Sequence, residues 1–129
     1  MEKNNQIYKE WFEKANEDEL AGEEVLKNPH LYAPACFHFH QTAEKYLKGF
    51  LVFNSNGYPK SHDLLELASL IADLAPDIMN LEEELLLLND YYIETRYPGD
   101  YPEFSLKDAE DARKAAREVK DFILIETQK

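Results

Sequence analysis

Apolar residues return every three to four positions through most of the chain, a spacing that predicts helices. Over residues 5–27, Ile7, Tyr8, Trp11, Phe12, Ala15, Gly22, Val25 and Leu26 share one face, and Asn28-Pro29-His30 ends the segment. A second helix is expected from about Ala33 to Phe53, with Pro34 tolerated in its first turn. Cys36, Phe39, Ala43, Tyr46, Leu47 and Phe50 form its main stripe. Residues 54–59 have loop chemistry. A third helix follows over about 63–75, with Ser61 as its cap and Leu64, Leu67, Ala68, Ile71 and Leu74 facing inward. Pro76 breaks the pattern. Asn80, with Glu83 three residues on, then reads as the cap of a fourth helix reaching about Arg96. Its run Leu85-Leu86-Leu87-Leu88 is apolar all round, which asks for burial by the bundle and by a second subunit. Ser105 with Asp108 opens the fifth helix, where Ala109, Ala112 and Ala116 lead to Val119, Phe122 and Ile123. The expectation is one all-α domain over residues 1–129, an antiparallel up-and-down helical bundle of four long helices plus a shorter one.

Three polar positions break this logic. Asp18 falls in register with Ile7, Trp11, Ala15 and Val25. Arg96 falls in register with Leu81, Leu85, Leu88 and Tyr92. His40 sits between Cys36 and Ala43 or Leu47. A charge facing a core is costly unless paired, so Asp18 and Arg96, or their neighbours, are expected to meet each other or a ligand. The bland account is a frayed first helix and an Arg96 that snorkels to water. The second helix has a further organised side, carrying His38, Gln41, Glu44, Lys45 and Lys48. As a solvated face it needs only a Glu44–Lys48 pair, worth a few tenths of a kcal/mol. Phe37 and Val52 flank that side, however, and a Lys and a His beside aromatics can hold a phosphate and stack a base. His62 and Asp63 open the third helix; its dipole explains Asp63 and leaves His62 as a candidate.

Composition narrows the function. A formal net charge of -12 opposes autonomous binding to nucleic acid, which needs a basic surface, and suits a basic partner. The single Cys36 and the polar start, with no apolar span, point to a reducing, cytoplasmic setting without a membrane role. No glycine-rich phosphate loop, no Glu-x-x-His pair and no nucleophile with an adjacent base occurs, so no metal or cofactor is expected. Cys36 with His40 could touch one ion, but core packing explains both.

Four ordered motifs then resemble the HEPN family, the nucleotide-binding domain shared by higher eukaryotes and prokaryotes. They are Trp11 with Ala15-x-x-Asp18; the stretch from Ala35 to Lys48, including Phe37-His38 and Ala43-Glu44-Lys45; Ser61-His62-Asp63-Leu64; and Tyr91-Tyr92-Ile93-x-Thr95-Arg96-Tyr97-Pro98. The resemblance covers essentially the whole chain. It implies a homodimer of helical bundles and a minimal nucleotidyltransferase as partner in a toxin–antitoxin-like pair. Asp18, Gln41, Lys45, His62, Arg96 and Tyr97 would line a polar groove, beside His38 and Lys48. Glu19 and Gly22 depart from the family's usual apolar residue and alanine. Many members are metal-independent ribonucleases in which four to six residues separate the Arg from a His. Here those positions hold Tyr101, Pro102 and Glu103. The expected function is therefore nucleotide or phosphate-ligand binding. An atypical endoribonuclease using Arg96 with another His, and a purely structural interaction dimer, are the alternatives.

Overall fold

The computed structural model describes residues 2–92 and 103–129, with side chains from residue 6 onward. Among the described residues, five α-helices fold on one core: α1 (Glu2–Leu26), α2 (Tyr32–Phe53), α3 (Leu64–Ala72), α4 (Glu82–Asn89) and α5 (Leu106–Thr127). A 3-10 segment, Pro76–Leu81, leads into α4. No strand occurs among the described residues. The periodicity is thus read correctly as all-helical.

Helix α2 is the axis of the molecule. Ala35, Cys36, Phe39, Ala43, Leu47 and Leu51 are buried along it. Helix α1 packs against it antiparallel, Gly22 beside Phe39 and Phe12 beside Tyr46. The approach is close because Gly22 and Gly49 carry no side chain: a Cβ on Gly22 would stand 2.8 Å from the Phe39 ring, and one on Gly49 2.6 Å from Phe12. Helix α5 presents Ala109, Ala112, Ala115 and Ala116 to the core, ahead of Val119 and Ile123. It begins with a full capping box, Ser105 and Asp108 satisfying each other's backbone N–H.

Several boundaries differ from the sequence reading. The cap of α3 is Asp63, whose carboxylate accepts from the backbone N–H of Leu65 and Glu66; Ser61 instead accepts from Asp63 N–H at 3.0 Å. The helix stops at Ala72, which leaves Leu74 exposed. Asn80 caps nothing, since the 3-10 turns already occupy its backbone and α4 follows without a side-chain cap. Helix α4 ends at Asn89 rather than near Arg96. The side chain of Asn89 is committed elsewhere, accepting from Leu64 N–H and donating to Asp63. Beyond it, Asp90, Tyr91 and Tyr92 close tight i→i−3 turns. Of the leucine run, Leu85 and Leu88 are buried and Leu86 is exposed, and Ile7 on α1 is also exposed. Arg96 and Tyr97 lie outside the described residues.

Loop 54–63 positions the site. It turns back past Lys48, where Tyr58 lies, and reaches Glu44 and His40 at His62. Helix α3 then starts beside the middle of α2, and its end shares a cleft with Leu51.

Candidate functional site

Glu44 is the centre of the arrangement. Its side chain is 5% exposed, and its two oxygens serve different partners. Oε2 accepts from Lys48 Nζ at 2.8 Å, one helical turn on. Oε1 lies 2.9 Å from Nδ1 of His62, delivered by the loop. A carboxylate can only accept, so His62 donates through Nδ1–H and presents Nε2 as its other edge. That side chain is 46% exposed. The Tyr92 ring stacks on it at 4.3 Å and 16°. Lys48 is 8% exposed and faces the rings of Trp11 and Tyr58 at 5.9 and 5.4 Å. It holds Glu44 in place and presents little of itself to solvent. The Glu44–Lys48 pair is therefore buried, not the solvated i,i+4 pair that spacing alone suggests.

His40 lies under this layer, fully buried. Its Nε2–H donates to the His62 carbonyl at 3.0 Å, and Nδ1 lies 3.2 Å from the Gln41 carboxamide. Burial holds its pKa below the ordinary histidine value, against the opposing charge of Glu44, so the ring is neutral.

One turn toward the start of α2, Asp18 of α1 repeats the design in a more open form. Its side chain is 14% exposed, bonded to Lys45 through one oxygen and to Nδ1 of His38 at 3.0 Å through the other. The cost of placing Asp18 on an apolar face is met by these two donors from α2. The Phe37 ring stacks beside His38 and meets Tyr92 edge-on, so aromatic rings connect the two carboxylate clusters.

The structure thus brings Asp18, His38, Gln41, Lys45, Lys48 and His62 together on one side of α2. Sequence reasoning left Glu44, His40 and Tyr92 out of the site. The i,i+4 spacing of His40, Glu44 and Lys48 was a usable signal for the first two. Tyr92 belongs to the fourth motif, but nothing in its spacing indicates the stack on His62, which depends on where loop 54–63 delivers that ring. Cys36 offers no nucleophile: burial, with the charge of Asp108, pushes its thiol up to about 12. Among the described residues no group of His, Cys, Asp and Glu could hold a metal ion, and no helix is long and apolar enough to cross a membrane.

The profile of the HEPN domain matches residues 8–126. The chain belongs to the HEPN family. Its fold is similar to TT1696 from Thermus thermophilus, with a TM-score of 0.76 and 30% identity over 90% of this chain and 94% of the other. It is also similar to ST0689, an archaeal HEPN homologue, with a TM-score of 0.73 and 21% identity over 93% and 97% of the two chains. No curated protein matches. Two departures from the usual HEPN pattern have structural reasons. Gly22 leaves room for the Phe39 ring, and Glu19, though buried, accepts from Lys120 at 2.8 Å.

Proposed function

We propose that this HEPN protein binds a phosphate-bearing ligand, a nucleotide in the first instance, on the polar side of α2. One observation carries the reading: Lys45, His38 and His62 converge on one face, each oriented by a buried or half-buried carboxylate and bordered by Phe37 and Tyr92. Orientation before binding lowers the entropy lost on capturing an anion. The stacked rings offer a surface for a base. Asp18 and Glu44 balance the charge of the two lysines, so the groove meets an anion with oriented N–H donors rather than with a surplus of positive charge. Calorimetric titration of the purified chain with ATP and GTP is the test. Binding that is lost in Lys45→Ala is expected, and no heat with either nucleotide overturns the reading.

The biological setting rests on the family resemblance. We infer a homodimer that works with a minimal nucleotidyltransferase in a toxin–antitoxin-like pair, in the cytoplasm. Light scattering showing a monomer, or an adjacent reading frame that encodes no nucleotidyltransferase, would count against it.

The Glu44–His62 pair favours a second reading. A carboxylate that fixes Nδ1–H leaves Nε2 as a base able to take a hydroxyl proton. Arg96, four residues after Tyr92 in sequence, would supply charge to a phosphate. This endoribonuclease predicts RNA cleavage that resists EDTA and disappears in His62→Ala and Arg96→Ala; RNA left intact by the wild type excludes it.

A further inference from the structure

We propose that His40 is a positioning residue of this site, whose Nε2–H bond to the His62 carbonyl sets where the His62 and Tyr92 rings stand. A fully buried imidazole is an expensive way to fill a core, because both ring nitrogens need partners. An apolar residue would serve packing alone. His40 instead touches three members of the Glu44 cluster. It bonds the His62 backbone, lies 3.9 Å from Glu44 Oε1, and packs against the Tyr92 ring at 5.2 Å.

The loop gives this contact its importance. Between Tyr58 and Asp63 the backbone makes short-range bonds, Ser61 N–H to Pro59 and Asp63 N–H to the Ser61 hydroxyl. Among the described residues, the His40 bond is what ties that stretch of backbone to α2. Without it, His62 would be held to the bundle through its ring alone, and the ring is the part that meets ligand. The carbonyl of His62 can only accept, so the neutral His40 ring must carry its proton on Nε2. Its Nδ1 is then an acceptor, which requires the Gln41 carboxamide, placed with Oε1 at 3.2 Å, to be turned end for end so that its NH2 faces the ring.

Nitrogen-15 NMR of the wild-type chain tests this without any substitution. His40 is expected as the Nε2–H tautomer with a ring proton protected from exchange, and His62 as the Nδ1–H form. An Nδ1–H His40, or a ring proton exchanging freely, overturns the proposal. His40→Leu then removes the bond while keeping volume. The His62 ring signals should move toward those of an unconstrained histidine, and ATP affinity should fall about tenfold. In His40→Gln the side-chain amide can donate to the same carbonyl, and affinity should return to within about threefold. Unchanged His62 signals in His40→Leu, or a His40→Gln no better than His40→Leu, would overturn the assignment. If His40→Leu does not fold, the wild-type tautomer and His40→Gln decide. The affinity measurements rest on the phosphate-ligand reading; the tautomer and His62 signals do not. Should ATP fail to bind, that reading falls while the positioning role is still judged by NMR.

Discussion

Helix α1 carries charge on two sides, toward α5 and toward α2, and the two are built differently. On the α5 side, Glu19 accepts from Lys120 at 2.8 Å, and Glu23 from Arg117 at 3.1 Å and Arg113 at 3.4 Å. Every cation there is a long, flexible side chain, and Arg117 is half exposed. On the α2 side, Asp18 and the neighbouring Glu44 hold imidazoles as well as lysines, and stacked aromatic rings close the gaps. The α5 seam shows how this chain clamps two helices with charge when clamping is the whole task. The histidines and the Tyr92 stack on the other side exceed that requirement. Two imidazoles that still reach solvent are poor clamps and good ligand contacts.

The comparison can be broken most sharply at Glu44. Glu44→Ala strands Lys48 as a buried, unpaired cation, and should cost about 3–5 kcal/mol in urea denaturation. Adding Lys48→Met should restore much of that loss. A cost under about 1 kcal/mol would place this pair in the same class as an exposed bridge. Next is the contact that sets α1 against α2. Gly22→Ala pushes a methyl into the fully buried Phe39 ring and should destabilise by about 1–3 kcal/mol, whereas Gly57→Ala, with open space around it, should do little. On the α5 seam, Arg117→Ala should cost about 0.2–1 kcal/mol, an effect reduced further by salt, because that guanidinium is half exposed.

The gentlest effect is on pH dependence. Burial lowers the His40 pKa from 6.5, with the charge of Glu44, the Gln41 side chain and the His62 carbonyl pulling the other way and the His62 ring adding slightly to the lowering. The folded chain therefore binds this proton less readily than the unfolded one. The stability contributed by neutral His40 is full above pH 6.5 and falls as pH drops below it, until the folded ring itself protonates. Urea midpoints at about pH 7.5 and about pH 5.5 should differ more for the wild type than for His40→Gln. An equal difference removes the contribution assigned to His40.

Much of this was legible in the chain. Period-3.6 patterning marked the helices, because each must bury one stripe, and the Ser105–Asp108 cap was read correctly since a capping box is local. Asp18 stands out in the sequence as a charge on an apolar face; its observed partners are His38 and Lys45, and the expected meeting with Arg96 falls outside the described residues. Helix ends were harder. Asn80 and Ser61 look like caps by residue type, but a 3-10 lead-in and the longer reach of Asp63 decided otherwise. The shortness of α4 could not be seen either, because Asn89 ends it by bonding residues 25 and 26 positions away.

By itself, then, the sequence determined that this protein is an all-helical HEPN domain with polar groups on one side of its second helix. Periodicity and local motifs are properties of neighbouring residues, and they survive any arrangement of the rest. Tertiary structure alone decided that the Glu44–Lys48 pair is buried and that Glu44 joins His62 across 18 residues. It also decided that Tyr92 covers that imidazole while His40 holds its backbone from beneath. Those facts depend on loop 54–63 folding back along α2, which long-range packing sets and local spacing does not encode.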